Sequence, residues 1–331
     1  MAWLSLAIFA SPALAIEADA VVRRTDGTTV VGTIVDEGAT AFLVRTPGGE
    51  VVRVPYELVA SVERRADPAP GWAPPRATGE ATRVSVGPSH ACAVGEGGAV
   101  TCWGSDVYGQ SSPPAERFRA VDVGVGHTCG VTLGGLLACW GNDEVGQASP
   151  PKGTFVQVSA GTVHSCAVRD DGAAVCWGHD VSGHTRAPEG VFVEVSAGAV
   201  HSCGVRADGT IACWGNDAAG QASPPEGTFR HVSAGATHTC AIGEDRRLTC
   251  WGFDLERQLR APAGSFEALS TGERHACAVR RDGAAVCWGA DEARQSRAAR
   301  GAFVDVAAGD TSSCGVRRDG DVVCWGAEPP R

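Results

Sequence analysis

Residues 195–227 read VSAGAVHSCGVRADGTIACWGNDAAGQASPPEG, and the middle of this stretch decides the fold. The chain must reverse around Asp208-Gly209. If Cys203 faces Cys213 across an antiparallel pair, Gly204 faces Ala212, Val205 faces Ile211 and Arg206 faces Thr210. Ala207, Asp208 and Gly209 then remain as a three-residue loop. Such a loop wants glycine in its last place, where the backbone turns left-handed. Two cysteines directly opposed on neighbouring strands stand at a separation that suits a disulfide.

The same arrangement recurs with a fixed period. All fourteen cysteines fall into seven pairs, each ten residues apart and each starting 37 residues after the last. The pairs are Cys92 with Cys102, Cys129 with Cys139, Cys166 with Cys176, Cys203 with Cys213, Cys240 with Cys250, Cys277 with Cys287, and Cys314 with Cys324. Trp-Gly follows the second cysteine every time, from Trp103-Gly104 to Trp325-Gly326. A fixed period of this length means one small structural unit copied in series. Glycine holds the last loop place at Gly98, Gly135, Gly172, Gly209, Gly283 and Gly320. Arg246 breaks the rule in the fifth copy, so that loop is expected to be distorted or longer. Each bridge would close about eleven residues and stabilise by roughly 2–3 kcal/mol in the chain-entropy model. Seven such bridges would staple small sheets that are marginal alone.

A metal reading competes for the same residues. His90, His127, His164, His201, His238 and His275 each stand two places before the first cysteine, on the same face of a strand. His, Cys and Cys could therefore converge on zinc. The seventh copy has Ser312 in the histidine place yet keeps both cysteines, so the pair does not depend on the histidine. We read the cysteines as disulfides and the histidines as structural groups bonding a neighbouring loop backbone. Upstream of each histidine runs one more strand ending at a glycine, as in residues 229–235. Downstream of Trp-Gly an acid recurs: Asp106, Asp143, Asp180, Asp217, Asp254, Asp291 and Glu328. Such a ring could attract calcium, but each acid lacks obvious oxygen partners in its own loop. A short acidic side chain folding back on its own backbone fixes a turn, and that is the reading adopted.

The chain outside the repeats has a different character. The whole chain of 331 residues carries 28 Lys and Arg against 38 Asp and Glu, a net charge of -10, and Lys152 is its only lysine. An acidic balance without a basic run argues against a nucleic-acid partner. No apolar run is long enough to span a bilayer. Residues 1–15, MAWLSLAIFASPALA, end in Ala13-Leu14-Ala15, a small-residue cleavage pattern, and are read as a secretory signal peptide. An even, paired cysteine set agrees with export to an oxidising compartment, either secreted or in the periplasm and cell envelope. Residues 16–65 alternate apolar and polar positions between turn signals at Asp26-Gly27, Glu37-Gly38 and 47–49, about five short strands. Residues 66–80, ADPAPGWAPPRATGE, read as a stiff proline-rich spacer in which Trp72 docks on a neighbour.

The repeat quoted at the outset resembles the regulator of chromosome condensation (RCC1) repeat, over about residues 81–331. The resemblance implies an all-β chain with a seven-bladed β-propeller, each blade a sheet of about four strands. The run DGTTVVGTIVDEGATAFLVRTPGGEVVRVPYELVASVE resembles Sm-like or SH3-like barrels, so a small N-terminal β-barrel is expected. The cysteine pairs look like those of exported bacterial members. The seventh copy lacks the stretch that ends the others, and residues 79–86 align with it, so the N-terminal edge of the propeller is expected to complete the last blade.

Function within such a family diverges, and the site must decide. Nuclear members exchange nucleotide on a small GTPase through a protruding insertion and carry basic tails; the spacing here never departs from 37, and no basic tail is present. The plant photoreceptor of this fold carries tryptophans just before the histidine place. Here those places hold small or charged residues, from Pro88-Ser89 to Glu273-Arg274 and Asp310-Thr311. A bacterial propeller that caps β-lactamase with one face is the nearest in kind. By that resemblance the pre-histidine pairs line one face near the axis. Tyr108, His179, His184, Phe253, Leu255, Arg257, Glu273, Arg274 and Asp310 are the candidate partner-binding residues, because they differ between copies. The expectation is a monomeric scaffold or inhibitor-like module that binds an unidentified protein without a cofactor. Carbohydrate binding is the alternative, and would need an exposed aromatic in each copy. No nucleophile–base arrangement or phosphate-cradling loop stands out from the repeat, so no enzymatic activity is expected.

Overall fold

The computed structural model describes residues 18–26, 28–37, 41–46, 50–55, 58–64 and 81–328. The expected signal peptide and the spacer with Trp72 lie outside the described residues. The chain divides into two compact units, with the break between Asp67 and Pro68.

The first unit is one antiparallel sheet of five strands. They are β1 (Ala18–Arg24), β2 (Thr29–Glu37), β3 (Ala41–Arg45), β4 (Val51–Pro55) and β5 (Val59–Arg64), in the order β4-β3-β2-β1-β5. Alternation puts Val22, Val44 and Val54 into a small core with Val30 and Val52. Asp26 fixes the first turn by accepting from both the N–H and the hydroxyl of Thr28. Five strands are present as expected. A ladder between β4 and β5, which would close them into a ring, is not among the described pairings.

The second unit holds seven three-stranded antiparallel sheets among the described residues, one per repeat. Blade 4 shows the plan: an inner strand Phe192–Ala197, a middle strand His201–Arg206 and an outer strand Ile211–Gly215. The register is the one the sequence dictates, with Cys203 opposite Cys213, Gly204 opposite Ala212 and Val205 opposite Ile211. Every cysteine is bonded to the partner that faces it across its own hairpin. Cys92 joins Cys102, Cys129 joins Cys139, Cys166 joins Cys176 and Cys203 joins Cys213. Cys240 joins Cys250, Cys277 joins Cys287 and Cys314 joins Cys324. The Cα–Cα separations are 3.9–4.0 Å, and no cysteine is free. No thiolate is left for zinc.

Three expectations change. The resemblance implies about four strands per blade, but each sheet has three. The stretch after Trp-Gly is instead a loop wound around its own aspartate: Asp143 accepts from the N–H of Ala148 at 2.8 Å and the hydroxyl of Ser149 at 2.6 Å. Second, the fifth hairpin is neither longer nor distorted. Arg246 takes the left-handed conformation of the glycine it replaces, with φ 65°, and its guanidinium pairs with Glu267. Third, the strand Ala81–Val86 pairs within blade 1, and blade 7 is complete from its own repeat. Among the described residues the ring therefore closes by packing and by single bonds such as Ala81 N–H to Gly320 O at 3.0 Å, not by exchange of a strand.

The cores lie between blades. Cys203, Val205 and Ile211 of blade 4 pack on Phe229, Val232, Ala241 and Trp251 of blade 5. Directional bonds repeat across these junctions. The carbonyl of Gln221 receives both the indole N–H of Trp251 at 3.0 Å and the hydroxyl of Thr239 at 2.9 Å. That hydroxyl in turn lies 2.8 Å from Nε2 of His201 in the preceding blade. So the histidines are structural, but in five of the six copies the partner is a hydroxyl on the next blade, not a loop backbone. Nearer the axis, an inner-strand serine accepts the next blade's backbone N–H, as Ser159 does from Ala197 at 3.0 Å.

Candidate binding face

The turn between inner and middle strand, and the loop after Trp-Gly, emerge on the same face in every blade. They are tied by one backbone bond per blade, from Ser105 N–H to Ser89 O, Phe253 N–H to Thr237 O and Ala290 N–H to Arg274 O, among others. On the axis of this face Gly87, Gly124, Gly161, Gly198, Gly235, Gly272 and Gly309 form a collar. A Cβ on Gly198 would overlap the carbonyl oxygen of Gly235, and the pattern repeats around the ring. Only glycine lets seven inner strands come this close. The collar surrounds a depression of about 80 Å³ whose walls include Pro88, Val125, Thr162, Ala199, Ala236 and Glu273. The pre-histidine residues thus stand near the axis, as the resemblance implies.

Below the collar the inner strands enclose a polar channel of about 470 Å³. His231 and Glu194 form an ion pair in it at 2.7 Å. Burial works against the charged imidazole, but the Glu194 carboxylate outweighs it and raises the pKa to about 9. Asp122 stands where five of the other six blades carry serine and accepts from Ser85, Ser159 and the N–H of Ala160. Burial raises its pKa against those donors.

The outer loops carry the unlike side chains. Tyr108 is 54% exposed, Phe253 45% and Leu255 72%. His179 and Arg257 are also exposed, and all five lie on this face. Glu273, Arg274 and Asp310 are half-buried closer to the axis. Burial, and then the neighbouring Asp310 carboxylate, raise the pKa of Glu273. Arg274 reaches Glu292 at 2.9 Å and Glu256 at 3.6 Å.

His184 does not belong with this set. It occupies the glutamine place of blade 3, is wholly buried and packs 4.4 Å from the His164 ring. Its carbonyl serves Trp214 and Ser202 as glutamine does elsewhere, so no partner can reach its side chain. The sequence reading also missed residues. Val107 (82% exposed) and Val181 (70% exposed) project from the same loops, and Arg294 stands where blades 1 to 4 carry glycine, the same departure as Arg257. That shared departure was visible in the aligned copies. The tryptophan common to all copies is turned to the blade junctions, its indole N–H held by a carbonyl in six of the seven. It is not available to stack on a sugar.

The regulator of chromosome condensation (RCC1) repeat model matches residues 81–110, 155–183, 192–221, 229–258, 266–295 and 303–328, more than half of the chain. Among solved structures, the ectodomain of the Physcomitrella patens receptor kinase CR4 is similar at 27% identity and a TM-score of 0.65, over 75% of this chain and 74% of that one. The CRINKLY ectodomain of the Arabidopsis thaliana receptor kinase ACR4 is similar at 29% identity and a TM-score of 0.63, over 76% of this chain and all of that one. Prp20p of Saccharomyces cerevisiae, described with its binding to Gsp1p and histones, shares the fold at 15% identity and a TM-score of 0.64, over 95% of this chain and 92% of that one. No curated protein sequence matches significantly.

Proposed function

Because this chain belongs to the RCC1 repeat family, we propose that it is an exported, disulfide-stapled propeller. It binds a protein partner through the loop face around the glycine collar, as a monomer and without catalysis. One observation carries this reading. The frame residues repeat from copy to copy, while exposed loop residues on this face diverge into Tyr108, His179, Phe253, Leu255 and Arg257. A rigid frame presenting unlike aromatic, aliphatic and arginine side chains is the composition of an interaction hot spot. Seven disulfides indicate an oxidising compartment. The similar receptor-kinase ectodomains support an extracytoplasmic setting.

The test is affinity capture from envelope and culture-medium fractions with the oxidised chain as bait. The comparison bait is the triple variant Tyr108→Ala, Phe253→Ala, Leu255→Ala. Loss of a captured protein with the variant supports the face. An identical capture profile, with both baits folded by circular dichroism, refutes it.

A further inference from the structure

The loops after Trp-Gly turn through a left-handed residue. In blades 1 to 4 it is Gly109, Gly146, Gly183 and Gly220, with φ between 78° and 80°. In blades 5 and 6 it is Arg257, with φ 62°, and Arg294, with φ 64°. The turns are otherwise the same: Arg257 O and Arg294 O accept from the N–H three residues on, as Gly109 O and Gly146 O do. A left-handed backbone is disfavoured for any residue with a Cβ. Nothing in the frame asks for a side chain there, because a Cβ at each of the four glycines meets nothing within 4 Å. Two neighbouring blades thus hold arginine in open space against a backbone preference that glycine satisfies elsewhere in the same chain. A strained residue that packing does not explain points to function.

The charges beside them are arranged to leave these two guanidinium groups uncompensated. Glu256 and Glu292 flank them in sequence, but both turn to Arg274. Arg186 and Arg297 are paired with Asp180 and Asp291 of their own loops. Arg257 and Arg294 are exposed and have no ion pair among the described residues. Next to them on blade 5, Phe253 and Leu255 offer apolar surface. We infer that Arg257 and Arg294 form a two-pronged receptor for carboxylates on an acidic protein segment, whose apolar side chain rests on Phe253 and Leu255. Arginine's planar fork suits carboxylates. The adjacent apolar pair, Phe253 and Leu255, favours a polypeptide over a sulfated sugar.

This inference rests on the protein-binding reading and names the partner's chemistry. Its test pans a phage-displayed random 12-residue peptide library on the oxidised chain and measures enriched peptides by fluorescence anisotropy. The variants are Arg257→Gly with Arg294→Gly, and separately Phe253→Ala with Leu255→Ala. Restoring glycine relieves strain, so the first variant should fold and melt slightly higher. The expected peptides are acidic and apolar, bind at least tenfold more weakly to the glycine variant, and lose that binding when Asp and Glu are replaced by Asn and Gln. Peptides that the glycine variant binds unchanged, but the alanine variant loses, would overturn the arginine receptor and leave the binding face standing. Enrichment of peptides that neither variant weakens, no enrichment at all, or binding of a heparin-type oligosaccharide in place of peptides overturns it too.

Discussion

One substitution tests the logic of the blade junctions with a gain of stability. At five junctions a histidine Nε2 meets a hydroxyl of the next blade: Thr128, Ser165, Ser202, Thr239 and Ser313, at 2.7–2.9 Å. Each hydroxyl gives its own proton to the carbonyl at the glutamine place. The imidazole must then be the donor, so the Nε2–H tautomer is assigned. At the fifth junction Ala276 replaces the hydroxyl, and His238 Nε2 is buried without a partner among the described residues. Ala276→Ser supplies one oxygen between His238 and the Gln258 carbonyl. A satisfied buried donor is worth about 1 kcal/mol net. In a propeller of this size that raises Tm by roughly 2–4 °C. Ser202→Ala does the reverse: it orphans His164 Nε2 and removes a second bond, for a loss of about 2–3 kcal/mol. Differential scanning calorimetry of the oxidised proteins at pH 7.5 reads both. The gain from Ala276→Ser should vanish in a His238→Leu background. A neutral or destabilising Ala276→Ser together with a silent Ser202→Ala would refute the relay.

Acid should weaken the same junctions. Burial holds His90, His127, His201 and His238 down to about 4, and His164 and His275 down to about 3. The unfolded chain takes up those protons below about 6.5 while the folded one does not until about 3–4, so stability is lost as pH falls through that window. Urea midpoints between pH 7.5 and 4.5 should fall steadily; a flat profile contradicts the burial. His231 has the opposite sign, because its pKa is raised to about 9: its contribution is full below about 6.5 and is lost as pH rises through about 9. In the variant His231→Asn the urea midpoint should therefore fall less between pH 7 and 9.5 than in the wild type. Gly198→Ala drives a Cβ into the Gly235 carbonyl and should cost about 2–3 kcal/mol. Gly220→Ala, left-handed but open, should cost only about 1 kcal/mol; equal midpoints for the two would show that the collar is not close-packed. Thiol titration of denatured, unreduced protein should find no reactive sulfur, and a detectable fraction would count against stapling of every blade.

The hairpin was legible to the residue, because a 37-residue copy overdetermines it: the opposed cysteines, the loop glycine and the Trp-Gly all demand one register. The aspartates were legible for a local reason, since a carboxylate two to six residues from its donors needs no tertiary information. The histidine partners were not. Thr128 or Ser202 lies 38 residues from its imidazole, and only the ring brings adjacent copies together. His184 misled for the same reason. A substitution in a variable loop reads as surface, and nothing local shows that the glutamine place points into the blade junction. The fifth hairpin misled because glycine preference is a cost, not a prohibition. A frame stapled by Cys240 and Cys250 imposes the left-handed turn on Arg246.

Arg257 and Arg294 bear the same left-handed geometry as Arg246, yet the three are not alike. Arg246 is held by Glu267 and contributes to its own junction. The other two have no such return, which is why function is sought in them alone. The closing junction deepens the contrast. Between blades 7 and 1 the recurring polar groups are missing: Ala307 replaces the bridging serine, Ser312 the histidine and Ala91 the hydroxyl, and Trp103 Nε1 is buried without a partner among the described residues. Ala81, Val84, Val86, Ala91, Ala93 and Trp103 pack there on Ala307 and Val316. Six junctions join sequence neighbours and can use directional bonds, because covalent continuity already sets their alignment. The seventh joins segments more than 200 residues apart and keeps fewer of them, Val84 N–H to Asp305 across 221 residues and Ala81 N–H to Gly320 O being two. Apolar contact is non-directional and tolerates the approach of two distant edges. The frame is therefore specified junction by junction. Among the three left-handed arginines, Arg246 is compensated by Glu267 across its junction, whereas Arg257 and Arg294 lie exposed on the loop face proposed to meet a partner.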